Sequence, residues 1–146
     1  MKRNWTLILA LFAFSSVSAQ STLSAAKVEQ ALGQEVFADW LQNQPEEIQL
    51  SAFYAEHGWV FNKDGKVPQD VLQIEELEPQ AEGATKMNAQ EFNASTFNPL
   101  FYNIQLSDSR PTYIQVGDKG VLMFFSKERL QTLFTRFQIN EQTRNN

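Results

Sequence analysis

Residues 112–137, TYIQVGDKGVLMFFSKERLQTLFTRF, form the run of this chain whose spacing predicts a complete strand, turn, strand and helix. The turn is predicted at residues 118–120, because Gly120 can take the positive φ that closes a short hairpin without steric penalty. A bulge at Gly120 would set Ile114 opposite Phe124. Since side chains alternate along a strand, four apolar residues share one face and are predicted to lie in the core: Ile114, Val116, Leu122 and Phe124.

The opposite face of the hairpin is also largely apolar. By the same alternation it carries Tyr113, Gln115, Val121, Met123 and Phe125. A hairpin with one solvated face would alternate strictly between apolar and polar residues, so this one is predicted to be covered on both sides. Two interpretations of the second face stay open. If the N-terminal helix covers it, these residues belong to the core. If it is uncovered, Tyr113, Val121, Met123 and Phe125 form an apolar interaction surface. Tyr102 either extends this surface or is a half-buried strand residue.

A helix is predicted to follow the hairpin and to pack back onto it. Ser126 suits an N-cap, and Glu128 suits the first turn, where a negative charge interacts favourably with the helix dipole. Apolar residues recur at helical spacing on one side: Leu130, Leu133, Phe134 and Phe137. The polar tail, residues 138–146, is predicted to fray.

The remaining segments are consistent with a mixed domain. Residues 24–43 are predicted to be helical, with the helix weakened or divided at Gly33. Two interpretations compete for residues 45–61. A proline followed by two acidic residues suits a helix start, whereas the alternation of Ile48, Leu50, Ala52 and Tyr54 is typical of a strand, and the strand is favoured. A strand is predicted at residues 100–106 and a polar loop at residues 78–89.

Residues 1–19 have the pattern of a secretory signal peptide. The pattern consists of a basic start at Lys2 and Arg3, an apolar stretch at residues 7–14 and the small residues Val17, Ser18 and Ala19. We therefore expect cleavage near Ala19–Gln20 and export to the periplasm or the outside of the cell. The stretch at residues 7–14 is too short to span a membrane, and no longer apolar run follows it, so the mature chain is expected to be soluble.

Length and charge limit the classes of function. Without residues 1–19 the chain would form one domain, predicted at residues 20–137, with a formal charge of −7 over all the remaining residues. Nucleic-acid binding needs a basic surface, so no nucleic-acid partner is expected. The chain contains no cysteine, which excludes thiolate and disulfide chemistry. No metal or cofactor is predicted.

Few residues are candidates for catalysis. His57 is the one histidine of the chain, and without an assigned partner it is interpreted as structural. Asn62 and Asp64 match the middle of a calcium loop, but the carboxylates required at its ends are missing, so a plain turn is predicted. Two carboxylates facing each other across a cleft would suit polysaccharide hydrolysis. The acidic residues considered for such a pair are Asp39, Glu46, Glu47 and Glu56.

Residues 92–102, FNASTFNPLFY, together with the hairpin that follows, resemble small exported bacterial proteins of uncharacterised function. The resemblance implies export and a small mixed domain, and it transfers no activity and no binding residue. In physical terms, Asn98 and Pro99 suit a turn in which the asparagine side chain satisfies backbone groups.

Together these observations predict an α+β fold, in which a small antiparallel sheet centred on the C-terminal hairpin carries an N-terminal helical segment and a C-terminal helix. The leading hypothesis is an exported, non-enzymatic module that binds another envelope or secreted protein through Tyr102, Tyr113, Met123 and Phe125. The alternatives are a small cell-wall or polysaccharide hydrolase with an Asp/Glu pair, and a ligand pocket between the sheet and the N-terminal helix. The oligomeric state is left open.

Overall fold

A computed structural model of the protein describes residues 23–69 and 71–146. The predicted signal peptide and its cleavage site lie outside the described residues. The predicted α+β class is confirmed, since the described part contains four α-helices and a four-stranded sheet. The elements are α1 (Ala26–Leu32), α2 (Gln34–Asn43), α3 (Pro45–His57), β1 (Trp59–Asn62), β2 (Leu72–Gln73), β3 (Thr112–Val116), β4 (Gly120–Phe124) and α4 (Lys127–Arg144), with 3₁₀ turns at Ile74–Glu76 and Pro99–Phe101.

The sheet has the order β1-β4-β3-β2. The β1–β4 and β3–β4 pairs are antiparallel, and the two residues of β2 pair in parallel with β3. The sheet is therefore mixed, whereas an antiparallel sheet was predicted. Ile114 lies opposite Leu122, so the predicted pairing with Phe124 is wrong by two residues. The loop is formed by residues 117–119, because Gly117 also adopts a positive φ, of 48°, and leaves the strand. A shift of two residues keeps every side chain on its predicted face.

The N-terminal segment forms two helices that meet at Gly33, whose φ is 81°. Their apolar side chains pack against α3 in a cluster around Val28, Phe37, Ile48 and Ala52. The N-terminal helices therefore cover α3. Neither of them makes a broad contact with the strands of the hairpin.

Residues 45–57 form helix α3, so the favoured interpretation of this segment as a strand is wrong. Pro45 occupies the first helical turn and two acidic residues follow it, as the competing interpretation required. The buried residues Ile48, Ala52 and Ala55 recur at helical spacing. Trp59 then begins the short strand β1.

The strand predicted at residues 100–106 is also absent. The Asn98 side chain accepts a hydrogen bond from the Leu100 N–H, 3.1 Å long, and Pro99 begins a 3₁₀ turn. Beyond this turn Tyr102 forms a single bridge with Pro79. The asparagine cap and the proline impose a turn where the alternation of apolar residues suggested a strand.

The main core lies on one face of the sheet. Ile114, Val116, Leu122 and Phe124 are 0% exposed, as the alternation predicted. They are covered mainly by the irregular segment between β2 and β3, whose buried residues include Leu77, Phe92, Phe97 and Tyr102. Tyr54 of α3 also packs on this cluster.

Helix α4 packs against α3 and makes no broad contact with the strands, so the prediction that it packs back onto the hairpin is wrong. The Phe53 and Phe134 rings lie 5.4 Å apart, and Leu130 completes this second apolar cluster. The helix runs to Arg144, whereas the sequence predicted fraying after Phe137. No helix in residues 23–69 and 71–146 combines the length and apolar character needed to cross a membrane.

Candidate functional site

The second face of the sheet contains an apolar row that crosses three strands. The register aligns Val60 of β1 with Met123 of β4, and Met123 with Tyr113 of β3. Phe125 extends the same face, and its N–H donates to the Gly58 carbonyl at 3.0 Å, which continues the ladder past β4. We call Val60, Met123 and Tyr113 the apolar row.

A polar row runs beside the apolar row on the same face. Asn62, Val121 and Gln115 are aligned across β1, β4 and β3, and Gln73 of β2 continues the line. The Gln73 amide donates to the Gln115 side-chain oxygen at 2.8 Å. Val121 is buried within this row, at 4% exposure.

No described element covers the apolar row. Val60 is 44% exposed, and Tyr113, Met123 and Phe125 are half-buried. None of these four residues belongs to any of the three apolar clusters of the described chain. The prediction that the hairpin is covered on both sides is therefore wrong for residues 23–69 and 71–146, where the second face is uncovered.

The apolar row is electrically neutral on a protein with a formal charge of −5. No Asp, Glu, Lys or Arg occupies a strand position on this face. Contact surfaces between proteins have centres depleted of charged residues and enriched in aromatic residues and methionine. The composition of the row is therefore that of an interface centre.

Tyr102 does not lie with the other predicted site residues. It is 5% exposed, belongs to the main core and stacks on Phe97 with ring centroids 5.9 Å apart. Its hydroxyl donates to the Thr85 carbonyl at 3.3 Å. Burial, together with the nearby charge of Glu91, raises the pKa of the Tyr102 hydroxyl. Tyr102 thus helps to hold the irregular segment in place.

The structure brings one residue to this face that sequence reasoning missed. Val60 joins Met123 only through the pairing of β1 with β4, two segments far apart in the chain. Its local signal was the short run of three apolar residues, Trp59, Val60 and Phe61, that follows Gly58. This signal would have identified Val60 only if the strand had been assigned to the same sheet as the hairpin.

The carboxylates considered for a hydrolase lie on helix surfaces. Asp39 accepts a hydrogen bond from the Asn43 amide at 2.8 Å, and Glu46 and Glu47 are exposed in the first turn of α3. Glu56 lies 3.8 Å from His57. In the part of the chain that the structure describes, no three acidic or histidine side chains are grouped as metal ligands would be.

The described residues form shallow concavities, two of which are relevant here. One, of about 280 Å³, lies between the N-terminal helices, α3 and the residues near Leu100, with Ser51 and Gln80 as its polar members. The other, of about 530 Å³, lies beside the hairpin turn and includes Glu75, Asp118 and Lys119. None of the proposed site residues and none of the four hydrolase carboxylates lines either concavity.

The apolar row is thus the surface that combines exposure, neutrality and a position outside the core. The four residues named for binding from the sequence divide between this face and the core. Comparison of the chain with protein-family models, with curated proteins and with solved structures gave no match.

Proposed function

We propose that the protein is an exported, non-enzymatic module that binds another envelope or secreted protein through the second face of its sheet. The observation that carries this proposal is the apolar row, which lies outside every apolar cluster of the described residues. A contiguous exposed apolar patch on a small domain typically marks a contact surface. Methionine and tyrosine also adapt well to a partner surface.

Export is supported by the pattern of residues 1–19, with a basic start, an apolar stretch and a small-residue cleavage site. Fractionation of cells that express the full chain, followed by N-terminal sequencing, tests it. The expected product begins at or near Gln20 and is found in the periplasm or the medium. An uncleaved chain in the cytoplasm would refute export.

The binding surface is tested by site-specific photo-crosslinking in cells that express the full chain. A photoreactive amino acid replaces Val60 or Met123, and as a matched control it replaces Val36, which is 45% exposed on α2. The same protein should be captured from both sheet positions and not from position 36. Equal capture from all three positions, or no capture from either sheet position, would refute the proposed surface.

A second variant tests whether the side chains themselves contribute to affinity. Replacing Tyr113 and Met123 with Ser removes half-buried apolar area, and the partner should be lost while the circular dichroism spectrum stays unchanged. The control replaces Val36 with Ser, which removes an exposed apolar side chain from a helix outside the proposed surface. Retention of the partner by the double variant would contradict the proposal.

A further inference from the structure

Strand β1 forms one edge of the sheet. Its hydrogen-bond pattern with β4 determines which of its backbone N–H and C=O groups point outward. The hydrogen bond from the Phe125 N–H to the Gly58 carbonyl identifies Gly58 and Phe125 as a hydrogen-bonded pair. Because such pairs alternate along antiparallel strands, Val60 and Asn62 also bond to β4. The backbone N–H and C=O groups of Trp59 and Phe61 must then point away from the sheet.

These four outward backbone groups have no hydrogen-bond partner among the described residues. The Trp59 indole donates to the Ala55 carbonyl at 2.8 Å, but this bond does not involve the backbone of β1. Exposed edges are usually protected by lysine, proline or a bulge. Strand β1 has the sequence WVFN and carries none of these features, so only its length of four residues limits pairing at this edge.

We propose that β1 pairs antiparallel with β1 of a second copy of the chain, about a two-fold axis. The proposal rests on the backbone groups of the strand edge, and it shares only Val60 with the surface proposed above for a heterologous partner. The register follows from the outward groups, because Trp59 of one copy must face Phe61 of the other to form all four hydrogen bonds. A register with Trp59 opposite Trp59, or with Phe61 opposite Phe61, would form only two hydrogen bonds.

This register places Val60 opposite Val60 of the second copy, on the two-fold axis. Val60 lies on the open face and is 44% exposed, so its side chain is free to make this contact. The pair is of the non-hydrogen-bonded type, in which opposing side chains approach most closely, with Cα atoms about 4.5 Å apart. Two valines in such a pair stabilise each other.

The pairing would join the apolar rows of the two copies into one line of six side chains. Met123 and Tyr113 would flank the central valines on each side, on a continuous eight-stranded sheet. No charged side chain occupies a strand position on this face, so Val60 meets no charge at the axis. A two-fold interface also closes on itself, which limits assembly to a dimer.

A second copy fits this edge better than an unrelated extended segment because the register is self-complementary. A four-residue strand buries less area than a standard interface of roughly 1,600 Å². The expected complex is therefore reversible, and its population should rise with protein concentration.

Cysteine cross-linking tests the register directly. The chain has no cysteine, so Val60→Cys introduces a single thiol. The predicted Cα separation of about 4.5 Å lies within the range that a disulfide spans. Under mild oxidation Val60→Cys should form a covalent dimer at least tenfold faster than two matched controls, Val36→Cys on α2 and Leu72→Cys on β2. These control positions are 45% and 48% exposed. Equal rates at the three positions would overturn the proposal.

Analytical ultracentrifugation of the chain without cysteine provides the second measurement. The weight-average mass should rise from one chain toward two with concentration, and Val60→Lys should abolish this rise by placing two ammonium groups on the axis. Val60→Thr keeps the branched, uncharged shape and should still associate. Association retained in Val60→Lys would overturn the proposal, as would a monomer at every concentration. If a foreign strand binds this edge instead, Val60→Lys should lose that partner and Val60→Cys should form no covalent dimer. This outcome would also overturn the proposed dimer.

Discussion

Asn98 links the turn at residues 99–101 to the N-terminal helix, and its replacement offers the sharpest test of how the fold is held together. The side chain is 4% exposed. Its oxygen accepts from the Leu100 N–H at 3.1 Å, and its amide donates to the Lys27 carbonyl at 2.8 Å. One buried side chain thus satisfies backbone groups in two segments about seventy residues apart.

Asn98→Ala removes both hydrogen bonds. Each bond contributes about 1 kcal/mol to the free energy of unfolding, and a buried group left without a partner adds about 1–3 kcal/mol. Because part of that penalty is relieved where water reaches the vacated groups, we expect a total loss of about 2–4 kcal/mol. With a urea dependence of roughly 2 kcal/mol per M, the unfolding midpoint should fall by about 1–2 M.

Urea unfolding followed by tryptophan fluorescence measures this change. Asn98→Asp keeps an acceptor for the Leu100 N–H but sets a carboxylate oxygen against the Lys27 carbonyl oxygen, so at neutral pH it should destabilise at least as much as Asn98→Ala. The control is Asn103→Ala, whose exposed side chain bonds only to the Gln105 amide, and it should stay within about 0.5 kcal/mol of the unchanged chain. A loss below about 1 kcal/mol for Asn98→Ala would refute the role assigned to these bonds.

Three further predictions concern other positions. Burial raises the pKa of the Tyr54 hydroxyl, so the unfolded chain ionises more readily and stability should fall above about pH 10. Urea unfolding at about pH 8 and about pH 11 measures this loss of stability, and Tyr54→Phe should make it smaller. An equal loss in Tyr54→Phe would contradict the assignment to the Tyr54 hydroxyl. Gly120→Ala should lower the free energy of unfolding by about 3 kcal/mol, because φ is 149° and a Cβ would meet the backbone of residues 62 and 63. Gly33→Ala, with φ 81° and open space, should lower it by only about 1–2 kcal/mol, and equal thermal shifts would refute this steric account. Lys119→Met removes the ammonium that donates to the Gln90 and Phe92 carbonyls at 2.7 and 3.1 Å, so hydrogen exchange at residues 88–92 should accelerate, and unaltered exchange would show that these bonds do not hold the segment.

The hairpin shows how far local pattern determines structure. Alternation assigned the core face correctly, and Ile114 and Leu122 are fully buried. The pairing was wrong by two residues because Gly117 and Gly120 can both adopt a positive φ, and either can end the turn. Local chemistry therefore determined which face each side chain occupies but not its partner on the other strand.

Helix α3 shows why alternation misled elsewhere. Ile48 packs with the N-terminal helices, whereas Leu50 contacts the cluster formed with α4. A helix buried on more than one side does not display a single apolar stripe, so its buried residues mimicked a strand. The strand predicted at residues 100–106 failed for a different reason, since the Asn98 cap and Pro99 outweighed the alternation that followed them.

The candidate site was predictable to the extent that it is local. Tyr113, Met123 and Phe125 lie on one hairpin, and alternation alone placed them on one face. Val60 required the pairing of distant strands, and Tyr102 was assigned to the surface because the segment around it was taken for a strand. Whether a sheet face is covered depends on where the helices pack, and their periodicity shows only that each has a side to bury.

The packing of the helices leaves the second face uncovered within the described residues. The apolar sides of α1 and α2 are buried against α3, that of α4 is also buried against α3, and aromatic residues of the irregular segment cover the core face. The polar row then becomes informative. Gln73 and Gln115 lie on the same face as Met123, in the row two residues along the strands, so the sheet accommodates polar side chains there. The fold therefore does not require valine, methionine and tyrosine in the neighbouring row, and contact with another protein surface supplies a physical reason for them.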